Sequence, residues 1–470
     1  MRAKLLGEIK RAVPSAVRSL ARQQLNNSRD RLLNWCAITW RKRFRHVTFI
    51  GVTGSCGKTT TTRLVGAVLG SDAQCSIGAG NNAHQAVIKN VLSVNRSTKF
   101  CVQEISGSRP GRISRHFRVL QPSIGIVTTI GSDHYTNYRS LEATAREKGQ
   151  LVELLAKKDV AILNADDPHV LAMATRASAR VITFGRSANA DIRATEVSSS
   201  WPDRLRLRVT CGDNTRQIQT KFVGEHWTTS VLAAITCGIV CGLDLNDCVK
   251  AVENFEPVFG RYSVHVRPDG PVYVFDHKAP FWTIAVGLAF VKGASAPRKT
   301  IVLGTISDYP GAASRRYRRV AQDALEVADR VVFVGPHSGH VNKLKGDSRE
   351  RLLAFVTTYQ ASAFLATTAV AGELVYIKGS IGADHLERIM LSQLDRVVCW
   401  QERCGIECAC IDCAHYRTPM PPPLGLADDP FKPTWTNDFP IDSRPRENLS
   451  ISPGTRCVNS GPVSLRQTKL

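Results

Sequence analysis

The chain reads as an α/β protein built on parallel sheets, with a phosphate-loop ATPase-type domain followed by a smaller Rossmann-like α/β domain. Three observations predict this. Short apolar runs rich in β-branched residues alternate with helical stretches from residue 47 onward. Those runs lack polar alternation, which suits strands buried on both faces. The first run, in residues 46–62 (HVTFIGVTGSCGKTTTT), stops in a Gly-Ser-Cys-Gly-Lys-Thr turn and opens into a helix-like segment.

Residues 1–46 form a basic N-terminal arm. Leu5, Ile9, Val13, Val17 and Leu20 recur at helical spacing with Arg and Lys between them, and Pro14 should split the arm into two helices. Such a helix can lie on anionic lipid or pack on the main body. Residues 47–258 form the central domain, with strands expected at 100–105, 124–129, 160–163 and 181–184 and helices at 60–70 and 141–156. The apolar stretch 231–243 is broken by Thr236 and Gly238 and reads as a buried helix. Residues 259–396 form the second domain, with strands at 272–275, 300–303, 331–334 and 374–377. A Cys-rich segment covers 397–416. A tail at 417–470, rich in Pro, Ser and Asn without apolar periodicity, reads as disordered.

Lys and Arg number 62 against 40 Asp and Glu, a net charge of +22. Residues 1–46 hold twelve of those cations against Glu8 and Asp30, so nearly half the excess sits in the arm. Nucleic-acid binding would rest on charge alone, because no aromatic–basic recognition motif accompanies it. No apolar stretch of about 18 residues is present, so no spanning helix is expected. No secretory signal segment is visible either. The expected location is the cytoplasm, with the arm able to touch the inner face of a membrane.

The turn carries the clearest chemistry. Backbone N–H groups of Thr53, Gly54, Ser55, Cys56 and Gly57, with the positive end of the next helix, would cradle phosphate oxygens. Lys58 would reach the β- and γ-phosphates, and the hydroxyl of Thr59 or Thr60 would hold Mg²⁺. Position 52 is Val52 where the strict loop pattern has Gly. Further polar groups follow later strands: Glu104 closes CVQE, His134 and Lys148 lie in IGSDHYTNYRSLEATAREKGQL, and Asn164 and Asp167 lie in LNADDP. Each alone could be a surface or cap residue. Their succession after a phosphate loop is what points to a site.

These segments, with NNAHQAV, EISGSRPGRI, VGEHWTTSVLAA, FGR, VLGTISDYPG and IKGS, resemble the Mur ligase family over residues 47–396. Its members are ATP-dependent amide ligases of peptidoglycan precursor synthesis, together with folylpolyglutamate and cyanophycin synthetases. The resemblance implies ATP and Mg²⁺ as cofactors and Lys58, Glu104, His134 and Lys148 as the catalytic set. Thr59 and Glu104 would serve one Mg²⁺ and His134 a second, with Lys148 carbamylated to supply a further carboxylate. Asn81 and Asn82 would lie near phosphate or acceptor. Asn164, Asp167 and His226 would lie near the nucleotide, and Arg261 and Asp276 would reach phosphate and ribose. The implied reaction joins a carboxylate to an amine through an acyl phosphate, on a cell-wall peptide or, alternatively, a poly-γ-glutamate or folylpolyglutamate chain. A non-catalytic nucleotide-binding relative is the reading from another class.

The chain also departs from the family pattern. Ser55-Cys56 replaces the usual Thr-Asn, Trp227 replaces an adenine-side Asn and could stack instead, and DHKAPFWT puts Lys278 in an unusual position. Only 46 residues precede the phosphate-loop strand, where peptidoglycan ligases carry a domain for the uridine nucleotide. That layout is closer to the polyglutamate ligases. Finally, Cys399, Cys404, Cys410 and Cys413, with Cys408 and His415 nearby, could hold a structural Zn²⁺ or remain free thiols.

Overall fold

The computed structural model describes residues 15–416 except 82, 345–349, 403 and 407, with side chains from residue 28 onward. The break expected at Pro14, the residues Leu5, Ile9 and Val13, and the tail 417–470 lie outside the described residues. The chain divides into two compact units, residues 1–199 with 203–256, and residues 200–202 with 257–470.

The first unit begins with helix α1 (Ser15–Arg43) and strand β1 (Thr48–Thr53). Then follow α2 (Lys58–Gly70), β2 (Cys75–Gly78), α3 (His84–Ser93), β3 (Phe100–Glu104), α4 (Arg112–Leu120) and β4 (Ile124–Val127). Next come the short α5 (Tyr135–Tyr138), α6 (Leu141–Glu153), β5 (Val160–Asn164), α7 (Pro168–Leu171) and β6 (Arg180–Gly185). The unit closes with β7 (Ile192–Ser198), β8 (Arg206–Cys211), β9 (Asn214–Gln219), α8 (Thr228–Val240) and α9 (Leu245–Asn254). The sheet order is β2-β3-β1-β4-β5-β6-β7-β8-β9. Strands β2 to β7 pair in parallel, while β7, β8 and β9 form an antiparallel extension.

That extension was not expected from the sequence. The residues of β9 are nearly all exposed, and β7 alternates buried with open positions. Half-solvated strands of this kind give no continuous apolar run to read. The central parallel strands do: β3 and β4 are buried throughout.

The basic arm is not a separate element over its last residues. Ala37 is fully buried, Trp40 Nε1 donates to Val94 O at 2.9 Å, and Arg41 donates to Leu120 O and Gln121 O at 3.0 Å each. The Arg41 guanidinium also lies 3.7 Å from the centre of the Phe49 ring. This end of α1 therefore packs one face on the first unit.

In the second unit the strands are β10 (Arg261–Val266), β11 (Val272–Asp276), β12 (Lys299–Leu303), β13 (Arg330–Val334), β14 (Leu352–Phe355) and β15 (Leu374–Lys378). Helices α10 (Ile284–Gly293), α11 (Ala313–Leu325), α12 (Thr358–Thr368) and α13 (Glu387–Leu394) accompany them. The sheet order is β10-β11-β15-β12-β13-β14, parallel except for β10. The Cys-rich segment joins this core: Val397, Cys410, Ile411, Cys413 and Tyr416 pack with Leu386, Ile389 and Met390. It is part of the second unit rather than a domain of its own.

Candidate functional site

The carboxyl ends of β1, β3 and β4 bring the main candidates of the first unit together. After β1 the backbone turns at Gly54, φ 147°, where an added Cβ would lie 1.9 Å from Thr128 Oγ1. Only glycine permits that approach. Gly57 adopts a left-handed conformation, φ 79°, and starts α2. The segment after β4 braces the loop. Ser55 N donates to Thr129 O at 2.7 Å, Cys56 N to Thr129 Oγ1 at 3.3 Å, and Gly131 N to Ser55 Oγ at 2.9 Å. The N–H groups of Ser55 and Cys56 are thus engaged by the protein itself. Those of Lys58, Thr59 and Thr60 open the first turn of α2, where no earlier helical carbonyl can receive them. Anion attraction is therefore strongest at the helix start.

Lys58 Nζ is held back over its own loop, donating to Gly54 O at 2.8 Å, with Asp133 Oδ2 3.9 Å away. Thr59 Oγ1 donates to Glu104 Oε2 at 2.8 Å, and Gly80 N donates to the same oxygen at 2.9 Å. Thr60 is fully buried, and Thr53 spends its hydroxyl on Ile105 O at 2.9 Å. Of the two candidate hydroxyls, then, Thr59 is the one beside a carboxylate. Asn81 Oδ1 accepts from Ala83 N at 3.1 Å, while Asn82 lies outside the described residues.

One central group had not been singled out. Asp133 Oδ2 lies 3.4 Å from Lys148 Nζ, and its Oδ1 lies 3.6 Å from His134 Nε2. Burial pushes the Asp133 carboxyl up, but Lys58, Lys148 and His134 outweigh it and hold the group below the usual range. Lys148 is almost wholly buried, and burial with help from Lys58 lowers its ammonium to about 8 against the pull of Asp133. The only sequence signal for Asp133 was its position directly before His134. Beside Lys148, buried Glu147 accepts from Gly111 N at 2.8 Å and Ile113 N at 2.9 Å. It anchors the start of α4, so the SGSRPGRI turn is tied to the helix that carries Lys148.

Other candidates serve the scaffold. Asn164 Nδ2 donates to Thr128 O at 2.8 Å, and its Oδ1 accepts from Asp166 N at 3.0 Å. Asp167 caps α7 and accepts from Ile130 N at 2.7 Å. Both brace the segment after β4 from behind. Trp227 is buried and stacks on Phe222 with ring centres 5.4 Å apart, so it is a core ring and cannot offer a stacking face. The His226 ring lies tilted against it, 4.8 Å between centres.

Arg261 and Asp276 belong to the second unit and face each other across the β10–β11 register. Asp276 is buried and ion-paired with Lys378 of the IKGS segment. The pair engages Asp276 Oδ2. Lys278 is exposed. Cys399, Cys404, Cys410 and Cys413 all line one cavity, but among the described residues no three of their sulfur atoms lie within 4.8 Å of one another. Among the described residues, ligand atoms within 4.8 Å of one another come instead from His385, Glu387 and Cys410.

Residues 52–238 match the Mur ligase middle domain. The UDP-N-acetylmuramoyl-tripeptide–D-alanyl-D-alanine ligase of Mycobacterium tuberculosis is 30% identical over 298 residues, covering 62% of this chain and 58% of the relative. This chain thus spans less than two thirds of that protein. The ligase of the same name from Rickettsia prowazekii is 22% identical over 340 residues, covering 71% and 75%. Among solved structures, MurF from Acinetobacter baumannii superposes with a TM-score of 0.71 at 22% identity, covering 78% of this chain and 81% of that one. MurF from Thermotoga maritima in complex with ADP gives 0.66 at 18%, covering 78% and 82%. This chain carries a Mur ligase middle domain and through it is related to the Mur ligases.

Proposed function

We propose that the chain is an ATP-dependent ligase joining a carboxylate to an amine, with a cell-wall peptide precursor as the carboxylate substrate. The observation that carries this reading is the meeting of Lys58, Thr59, Glu104 and Asp133 at the start of α2. In this reading the amide N–H groups and Lys58 hold the triphosphate, and Lys58 stabilises charge on the phosphate being transferred. The substrate carboxylate attacks the terminal phosphorus and ADP departs. The amine then attacks the acyl carbon of the acyl phosphate, and inorganic phosphate leaves.

The Thr59 hydroxyl and the Glu104 and Asp133 carboxylates are hard oxygen donors, a set that fits Mg²⁺. Bound there, the ion would offset negative charge where two anions must meet. Asp133 supplies a buried carboxylate at the place where the family resemblance expects a carbamate on Lys148. Lys148, lowered to about 8, retains enough neutral amine near neutrality to react with carbon dioxide, so both groups belong to the proposal. Exposed Leu32 and Trp35 on α1, next to Arg31, are what the arm would lay against an anionic membrane surface.

The experiment is ADP release over a panel of muramoyl peptides, glutamate polymers and amino acids, with hydroxylamine to trap the acyl phosphate. Turnover requiring both a peptide carboxylate and an amine supports the reading. ATP binding without turnover on any pair would favour a regulatory relative.

A further inference from the structure

The second unit contains a second constellation, unrelated to nucleotide chemistry. The loop after β15 closes on itself through Asp384, which accepts from Ser380 N at 3.0 Å and from the backbone N and hydroxyl of Thr305 at 2.6 Å each. The next residue, His385, is buried with its imidazole between two thiols. Cys404 Sγ lies 3.2 Å from Nε2 and Cys410 Sγ lies 3.5 Å from Nδ1. Glu387, also fully buried, stands 3.5 Å from His385 Nδ1 through Oε1, and that oxygen accepts from Cys410 N at 3.0 Å. Its other oxygen, Oε2, is buried and has no hydrogen-bond partner among the described residues. A buried carboxylate oxygen without a partner is costly and asks for a cation or a donor.

His385 and Cys410 border a cavity of about 160 Å³, also lined by Cys399, Cys404, Cys408 and Cys413. The segment that supplies the thiols is held over α13 by Arg388, which donates to Cys399 O at 3.2 Å and Gln401 O at 3.1 Å.

We propose that His385 Nδ1, the Glu387 carboxylate and the Cys410 thiolate bind one divalent transition-metal cation of the zinc class, with Cys413 completing the set. One nitrogen, one oxygen and one sulfur donor suit a borderline-soft ion better than Mg²⁺ or Ca²⁺. The three ligand atoms already lie within 4.8 Å of one another. Cys399 is not among the ligands. The ion clips the Cys-rich segment to the loop that carries the IKGS residues and Asp384, and so acts structurally. This site does not depend on the ligase reading.

The test uses the full chain purified without chelator. Metal analysis should find about one zinc per chain. The cobalt-substituted protein should show a thiolate-to-metal charge-transfer band. His385→Ala and Cys410→Ser should each lose the metal, whereas Cys399→Ser should keep it. Absence of both zinc and the cobalt band in the unaltered chain overturns the site without recourse to any variant. Loss of metal in Cys399→Ser with retention in His385→Ala would replace it by a four-cysteine centre.

Discussion

Around Asp133 in the first unit, two ammonium groups and an imidazole share one carboxylate at 3.4 to 3.9 Å, and none makes a close bidentate pair. Around Glu373 in the second unit, the arrangement is the reverse. Its fully buried carboxylate receives Arg298 and Arg330 Nη2, the latter at 2.8 Å, together with the Thr300 hydroxyl and Val370 N at 3.0 Å. Loose, excess positive charge at the start of a helix is what an anion site needs before its ligand arrives. Closely hydrogen-bonded ion pairs at the foot of a sheet hold strands in place, and removing one partner exposes the other to an uncompensated burial cost. The comparison shows why ionisable residues in one chain carry different functional weight.

Breaking the first region should have the largest effect. Lys58→Ala should lower ADP release by about 10³-fold or more while leaving the thermal transition in place. Unchanged turnover would remove the phosphate-transfer role. Next, Lys148→Ala should lose activity by about 10²-fold, with partial recovery in bicarbonate or short carboxylic acids. Full activity without additive would mean that Asp133 alone supplies the needed carboxylate. The second region should answer differently. Glu373→Ala should cost about 3–5 kcal/mol of stability, because Arg330 is left buried and unpaired, and chemical denaturation would measure it. A loss below about 1 kcal/mol would mean the pair is solvated and the contrast false.

The smallest expected effect concerns acid. His84 and His116 stack in the first unit with ring centres 5.4 Å apart. Burial, assisted for His84 by Arg115 and for His116 by His84 itself, lowers them to about 4 and about 3. The unfolded chain takes up these protons near 6.5, but the folded one does not until far lower. Stability is therefore present above pH 6.5 and is lost as pH falls through the window down to about 4. His116→Leu should move the acid transition to lower pH, removing a penalty of about 2 kcal/mol at pH 5. An unmoved transition would assign acid sensitivity to other groups.

How much of this was legible before folding differs from element to element. The strand ending at Thr53, its glycine turn and Lys58 follow from local rules, because an apolar run and a Gly-rich bend need no distant partner to be recognised. Glu104 is legible as the polar end of an apolar strand, and His134 only through the motif around it. Asp133 was not, because its significance arises from Lys58 and Lys148, which lie far away in sequence. The stacking expected of Trp227 failed for a similar reason: Phe222 and the surrounding core cover the ring. The antiparallel strands of residues 192–219 lack the continuous apolar runs of the parallel strands; the signal that could have found β8 is the alternation of Leu205, Leu207 and Val209 with arginines.

The order of residues by itself determined the α/β class, the position of the glycine turn before α2 and the placement of polar groups after parallel strands. All are consequences of apolar periodicity and backbone permissiveness within short windows. Tertiary structure alone decided which of those groups share a charge environment, which are absorbed as braces, and that a buried histidine from after β15 stands among the cysteines. Electrostatic coupling and metal-ligand geometry depend on distances of a few ångströms between segments remote in the chain, and no local pattern encodes them.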